Sequence, residues 1–243
     1  IWYFLREEIE KIQPGLPARL RGLLQERALD PYLERDDFWW MGFDKTSKRK
    51  INNWNPWCNQ NQLLCFMLLE NDRDVLAQAV EKSMLSLDKY LNIIAADGAC
   101  DEGTTYWYKS TAYVMDYAKY MDMLTQGKVA FLHNDLVRGL GEYIVNADIG
   151  DNWQVNFADG TPSRRPISFT IYRYGKAVGN ERMKSFAINT YKQYGADPLG
   201  ADWTLFYQAL ENLLAVREMK NTAPVDYSPS DFAVYPDSKV CFM

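Results

Sequence analysis

Histidine is almost absent from this 243-residue chain, in which His133 is the only one. Serine-triad catalysis needs a histidine base, and many zinc sites use several histidine ligands. We therefore expect neither a Ser–His–Asp triad nor a histidine-based metal site within the chain. His133 itself falls on an apolar stripe, Leu132–Tyr143, and is predicted to be a packing residue.

Cysteine is also scarce, with single residues at positions 58, 65, 100 and 241 and no C-x-x-C pair. The first two are seven residues apart, about two turns of a helix, which is too far for an easy disulfide. The cysteines are predicted to be buried thiols, and they do not indicate the redox compartment.

Long apolar runs and an excess of positive charge are missing as well. No run approaches the roughly 20 apolar residues of a membrane-spanning helix, so we expect no membrane span. Lys and Arg total 27 against 32 Asp and Glu, a net charge of −5. This balance argues against nucleic acid as the main partner, although a local basic patch would still suit an acidic ligand.

Aromatic residues are abundant, with 16 Tyr and 8 Trp. They predict either an aromatic-rich core or a sugar-binding groove, since flat rings pack on sugar C–H surfaces while Tyr O–H and Trp N–H meet hydroxyls.

Apolar residues recur at helical spacing along most of the chain, which predicts an all-α protein of about eight or nine helices. The clearest stripes begin at Leu76, Val114, Leu132, Met183 and Phe206. A bundle, a solenoid or a closed α/α barrel would fit such helical hairpins. Polar and aromatic connections at 36–59, 95–107, 146–166 and 195–203 are where we expect binding residues.

The ends of the chain indicate a larger protein. It begins at Ile1 without a signal peptide, and residues 232–243 alternate like a strand that has no partner. We expect both ends to continue, with a β-rich part after Met243.

The first candidate cluster is Asn52-Asn53-Trp54-Asn55-Pro56-Trp57. A helix N-terminus would explain two of the asparagines as cap or turn residues, but not the flanking tryptophans. Alternatively, a carboxamide donates N–H bonds to a substrate carboxylate while the indoles form the wall of a site.

The second cluster runs from Asp97 to Tyr108 and contains Asp101, Glu102, Tyr106 and Trp107. Its acids favour the N-terminus of a helix beginning near Tyr106. Alternatively, Tyr106 exchanges protons with a substrate, with Glu102 orienting or polarising it, if nearby positive charge stabilises the phenolate.

A third group comprises Trp153, Asn156 and Asp159, followed by Arg164-Arg165. The arginines are either solvated surface, the favoured interpretation, or ligands for a carboxylate or sulfate.

In these motifs the chain resembles the heparinase II/III-like polysaccharide lyases. The resemblance rests on residues 29–32 and 39–42, on the Asn52–Trp57 and Asp97–Trp107 clusters, and on Asn156-Phe157-Ala158-Asp159. These motifs cover most of residues 20–160 in order.

The resemblance implies an incomplete α/α toroid over residues 1–225, then a linker and the first strand of a β-sandwich over 226–243. It implies β-elimination at a uronic acid of an acidic polysaccharide, in the periplasm or outside the cell. Its implied roles are carboxylate neutraliser for Asn52, with Asn53 as close rival, acid/base for Tyr106, and a supporting carboxylate for Glu102. The other residues expected to bind substrate are Trp54, Asn55, Trp57, Trp107, Trp153, Asn156 and Arg164.

The chain departs from the family in two ways. Some members have His after the neutralising Asn, where this chain has Asn53, and another catalytic His comes from the β part. No cofactor is expected within the chain, while a metal in the β part is possible. The alternatives are a glycan-binding module without activity and a helical-barrel glycoside hydrolase, for which Asp101 and Glu102 are a poor pair and Asp159 a weak partner.

Overall fold

The computed structural model describes residues 2–163, 165–195, 206–223, 227 and 232–243. The chain is mostly helical, which confirms the predicted all-α class, and it divides into two compact units, residues 1–93 and 94–243. Arg164 and the domain boundary predicted at residues 225 and 226 lie outside the described residues. None of the described helices is long and apolar enough to cross a membrane.

The first unit consists of helices and tight helical turns. Its elements are α1 (Trp2–Ile12), α2 (Leu16–Leu24), a π-helical turn (Gln25–Leu29), α3 (Asp30–Glu34), a 3₁₀ turn (Trp39–Met41), α4 (Trp54–Leu69) and α5 (Arg73–Leu91). Helix α4 begins at Trp54 and therefore includes most of the first cluster. The core of the first unit is formed by Leu29, Tyr32, Met41, Phe66 and neighbouring side chains.

A buried polar network joins α4 to its surroundings. Asn55 Nδ2 donates to the Trp40 carbonyl at 2.8 Å and to the Ser86 carbonyl at 2.9 Å. Asn59 accepts from Tyr32 Oη at 2.9 Å and donates to Ser86 Oγ at 2.9 Å. Buried carboxamides are stable only when hydrogen-bonded in this way, so Asn55 of the first cluster and Asn59, which follows the cluster, serve the core.

The buried face of helix α5 coincides only in part with the predicted stripe that begins at Leu76. Leu87 of that stripe is buried and Met84 is exposed, while small residues, among them Ala79, Ser83 and Ser86, make up much of the buried face. Asp72 caps the helix, accepting from the backbone N–H groups of Asp74 and Val75. The small residues allow α4 to approach closely enough for its asparagines to reach Ser86. This close approach cannot be predicted from the spacing of apolar residues.

The second unit contains longer helices and two small hairpins. Its elements are α6 (Thr104–Trp107), α7 (Thr111–Thr125), α8 (Asp135–Asn146), β1 (Asp148–Gly150), β2 (Trp153–Gln154), α9 (Ser168–Val178), α10 (Glu181–Tyr194), α11 (Phe206–Asn221), β3 (Ala233–Tyr235) and β4 (Val240–Phe242). Helix α9 was not predicted, because its apolar residues are interrupted by Thr, Arg and Lys.

Two predictions for this unit are wrong. His133 is exposed and precedes α8, which is capped by the Asn134 side chain, so it is not a packing residue. In α11, Leu210 and Leu213 of the predicted stripe are exposed, while the buried face includes Gln208, Ala209, Asn212 and Met219.

The polar face of α11 is buried against an ionic cluster. Arg173 of α9 pairs with Asp116 of α7 and Glu211 of α11, and donates to Asn212 Oδ1 at 3.2 Å. The Arg173 side chain is 9% exposed and that of Asp116 is 1% exposed. Charge pairing therefore decides which face of α11 turns inward.

The C-terminal residues form a hairpin, which corrects the prediction of an unpaired strand. Strands β3 and β4 pair antiparallel, with Val234 opposite Cys241. Tyr235 and Phe242 pack on the Tyr143 ring at centroid distances of 5.6 and 5.8 Å. The reversal over residues 236–239 has the sequence Pro-Asp-Ser-Lys, whose first three residues favour a turn, so the sequence did contain a signal for this hairpin.

Candidate functional site

The first candidate cluster forms the start of α4. Asn52 Oδ1 accepts from the Trp54 backbone N–H at 3.1 Å, an Asx-type turn that fixes the entry to the helix. Asn52 is half-buried, and its carboxamide nitrogen donates no hydrogen bond to a described residue. Asn53 is 3% exposed, and its Oδ1 is buried and accepts no hydrogen bond from the described part of the chain.

The other members of this cluster separate into core and surface. Asn55 is fully buried and its carboxamide is used by the network of α4, so we remove it from the residues expected to contact substrate. Trp54 is 48% exposed and Trp57 is half-buried, with their ring centroids 5.9 Å apart. These two indoles retain the surface that a sugar ring requires.

The second cluster is a tight loop held against α8. Gly98 has φ +80°, and a Cβ at this position would lie 2.6 Å from the Leu140 backbone nitrogen. Trp107 is completely buried and donates from Nε1 to the Leu140 carbonyl at 2.7 Å. Trp107 therefore anchors the loop from inside, and the prediction that it contacts substrate is corrected.

Tyr106 keeps part of its surface in the solvent. It lies in α6, directly before the buried Trp107, and its side chain is half-buried. The Lys109 ammonium lies 4.9 Å from the centroid of its ring. This contact places a positive charge beside the ring of the tyrosine that the sequence predicts to be the acid/base.

Glu102 is the carboxylate most strongly altered by this environment. Burial, followed by repulsion from Asp101 and Asp159, raises its pKa to about 7. No ion pair or hydrogen bond between its carboxylate and a described residue offsets these effects. The group is therefore partly protonated near neutral pH and can both donate and accept a proton.

The structure brings the second and third clusters together. Gly103 has φ +86°, and a Cβ on it would lie 2.6 Å from the Phe157 carbonyl oxygen. Asn156 and Asp159 flank this contact and are exposed, and Asp159 repels Glu102. The residues predicted separately from positions 97–107 and 156–159 thus belong to one surface of the second unit.

The remaining predicted residues are less informative. Trp153 is 53% exposed on the β1–β2 hairpin, where Asp151 and Asn152 form the turn with positive φ. Arg164 lies outside the described residues, and its predicted role stays a prediction.

The pKa of Glu102 predicts a dependence of stability on pH. A carboxyl whose folded pKa is raised from 4.5 to about 7 binds more protons when folded, so its favourable contribution is complete below pH 4.5 and is lost as pH rises through 7. We expect Glu102→Gln to raise the free energy of unfolding at pH 8 by about 1 kcal/mol, after allowance for solvent screening of a half-buried group. The gain should disappear at pH 4.

Urea unfolding at pH 4, 6 and 8 measures this effect. Glu142→Gln is the control, since Glu142 is an exposed glutamate of the same unit. An E102Q stability increment that is the same at all three pH values would contradict the raised pKa.

Two cations near the clusters were missed in the sequence. Lys109 contacts the Tyr106 ring, and the Arg49 guanidinium lies 5.6 Å from the Trp39 ring centroid. Tyr106 and Lys109 are three residues apart across the end of α6 and the turn that follows it, and this spacing was a usable signal for the Lys109 contact. No local pattern indicates the contact of Arg49 with Trp39, because the chain between these two residues is mostly irregular.

No group of His, Cys, Asp and Glu suited to a metal ion occurs among the residues that the structure describes. The four cysteines are free thiols. Burial raises the pKa of Cys58 and of Cys100 to about 12, whereas Cys241 is exposed.

Comparisons of the chain with models of known protein families and with curated proteins give no match.

Proposed function

We propose that this chain is the helical toroid portion of a periplasmic or secreted lyase that cleaves a uronic-acid polysaccharide by β-elimination. The observation that carries this proposal is the environment of Tyr106, a half-exposed phenol with an ammonium group 4.9 Å from its ring centroid. The resemblance of the surrounding motifs to heparinase II/III-like enzymes supports the same assignment.

The proposed reaction removes the C5 proton of the uronate, and the electron pair of that bond forms a C4–C5 double bond as the C4–O4 bond breaks. As phenolate, Tyr106 accepts the C5 proton, and the resulting phenol delivers that proton to the leaving O4 oxygen. Asn52 donates from its carboxamide to the substrate carboxylate, which makes the C5 proton more acidic by stabilising the enolate-like intermediate.

The complete enzyme includes a β-sandwich after the toroid in this proposal. That part supplies the catalytic histidine that the family uses, and Asn53 takes the place of the histidine found after the neutralising Asn in some members. The exposed His133 has no role in it.

Tyr106→Phe tests the proposal in the full-length protein. We expect turnover of heparan sulfate or alginate to fall by about 10²–10⁴-fold, because the proton donor and acceptor is removed while the ring remains. Turnover is followed by the near-ultraviolet absorbance of the unsaturated product.

The control is Tyr194→Phe, since Tyr194 is another half-buried tyrosine with a cation, Arg165, 5.7 Å from its ring centroid. Its activity should be unchanged. Equal rates for Tyr106→Phe and the unaltered protein would refute the assigned role.

A glycoside hydrolase is the second candidate, because Glu102 has the raised pKa of a general acid and lies near Asp159. A hydrolase would release reducing ends without an unsaturated product, and Asp159→Asn would abolish its activity.

A glycan-binding protein without activity, the third candidate, is favoured by the exposed Trp54. It would bind the polymer and release neither product.

A further inference from the structure

Three indoles form a continuous surface in the first unit, which we call the tryptophan surface: Trp39, Trp54 and Trp57. Their ring centroids are 6.0 Å apart between the first pair and 5.9 Å apart between the second. Trp54 is 48% exposed, and Trp39 and Trp57 on either side of it are half-buried. A row of indoles that keeps part of its surface in the solvent is typical of a binding surface.

The segment beside it in sequence, residues 45–50, is strongly basic. It contains Lys45, Lys48, Arg49 and Lys50 without an acidic residue, in a protein of net charge −5. All four cations are exposed, and none forms an ion pair with any residue in the described part of the chain. The nearby acids Asp36 and Asp37 pair instead with Lys82 and Arg35.

Arg49 connects the basic segment to the tryptophan surface. Its guanidinium carbon lies 5.6 Å from the Trp39 ring centroid, and its backbone N–H donates to Ser47 Oγ at 3.2 Å. A guanidinium held beside an aromatic ring is pre-organised to bind a carboxylate or sulfate through two parallel hydrogen bonds.

Asn53 supplies an independent indication of a ligand. It directly precedes Trp54, is 3% exposed, and has a buried Oδ1 with no hydrogen-bond partner among the residues that the structure describes. A buried acceptor in this state destabilises the fold, and a hydrogen bond from a ligand hydroxyl would remove that cost.

We propose that the tryptophan surface and Arg49 form a binding site for an anionic sugar residue within residues 1–93. The pyranose ring packs on Trp54, Arg49 binds its carboxylate or sulfate, and Asn53 Oδ1 accepts from a hydroxyl. This site rests on the proposal that the ligand is a glycan, but not on the lyase step. Net negative charge and a single short basic segment disfavour nucleic acid, which needs many phosphate contacts.

Binding of the whole chain to heparin, to desulfated heparin, to dextran and to single-stranded poly(dT) tests this site, with calorimetry as the measurement. We expect Arg49→Gln to weaken heparin binding by about 10–100-fold, the loss expected for a charged hydrogen-bonded group. Lys48→Gln, which removes the same charge from the same segment, should weaken it by less than about threefold. Trp54→Ala should weaken binding of heparin and desulfated heparin alike, because it removes the packing surface.

Each other outcome decides a separate point. If Arg49→Gln also weakens the binding of desulfated heparin, the group that Arg49 binds is the carboxylate. If it weakens the binding of heparin alone, that group is the sulfate. Equal losses for Arg49→Gln and Lys48→Gln, or poly(dT) binding as tight as heparin binding, would overturn the proposal. Turnover by the full-length protein, measured in parallel, separates the two proposals. Normal turnover without the expected effects of the variants on binding would refute only the anionic-sugar site. The expected effects on binding without turnover would refute only the lyase activity.

Discussion

Replacing Arg173 with methionine is expected to lower the free energy of unfolding of the second unit by about 3–5 kcal/mol. The methionine fills much of the same volume, but it leaves Asp116 and Glu211 without the guanidinium that both contact. Asp116 is fully buried, so without Arg173 its charge would keep only the smaller stabilising influence of Lys119. Urea or thermal unfolding followed by circular dichroism measures the loss.

The effect should depend on pH in a defined direction. Burial, only partly offset by Arg173, raises the pKa of Asp116, and removing the cation raises it further. Burial also acts to raise the pKa of Glu211, but Arg173 and Lys119 together outweigh it and lower that pKa. Without Arg173 both carboxyls protonate more readily, so R173M should lose less stability at pH 4.5 than at pH 8.

Lys176→Met is the matched control for this experiment. Lys176 is also a cation of α9, but its pair with Glu218 is solvent-exposed. Exposed pairs contribute about 0–1 kcal/mol, so this variant should differ little from the unaltered protein. Similar losses in R173M and K176M would show that the buried cluster does not stabilise the unit.

Trp107→Ala is the second substitution with a large expected effect, about 3–5 kcal/mol of unfolding free energy. The indole is completely buried, packs on Tyr174 at a centroid distance of 5.6 Å, and bonds the Leu140 carbonyl. Its removal creates a cavity and leaves that carbonyl without the indole donor. Since Tyr106 is its chain neighbour, we also expect the variant to lose the activity proposed for Tyr106.

Trp153→Ala tests whether the effect belongs to the buried position and not to tryptophan in general. Trp153 is 53% exposed in the same unit, so its loss should cost about 0.5 kcal/mol or less. If the two variants unfolded at the same urea concentration, Trp107 would not be the anchor of the loop. Trp107→Phe, which keeps most of the volume, should recover part of the lost stability.

The sequence by itself determined the helical class and the position of most helices, because apolar spacing of 3.6 residues is a local property. It also made Tyr106, Glu102 and Trp54 candidates for a site, since polar–aromatic motifs in connections stand out without any contact information. The same reasoning could not separate Asn52 from Asn55, which are alike in type and neighbourhood.

Only the tertiary structure decided which members of each motif face the solvent. Asn55 reaches Ser86, 31 residues away, and Trp107 reaches Leu140, 33 residues away. The tertiary structure likewise places Arg49 beside Trp39 and packs the polar face of α11 against Arg173. Burial of a polar side chain depends on hydrogen-bonding partners that are distant in the chain. It therefore cannot be predicted from the spacing of the residues next to it in the sequence.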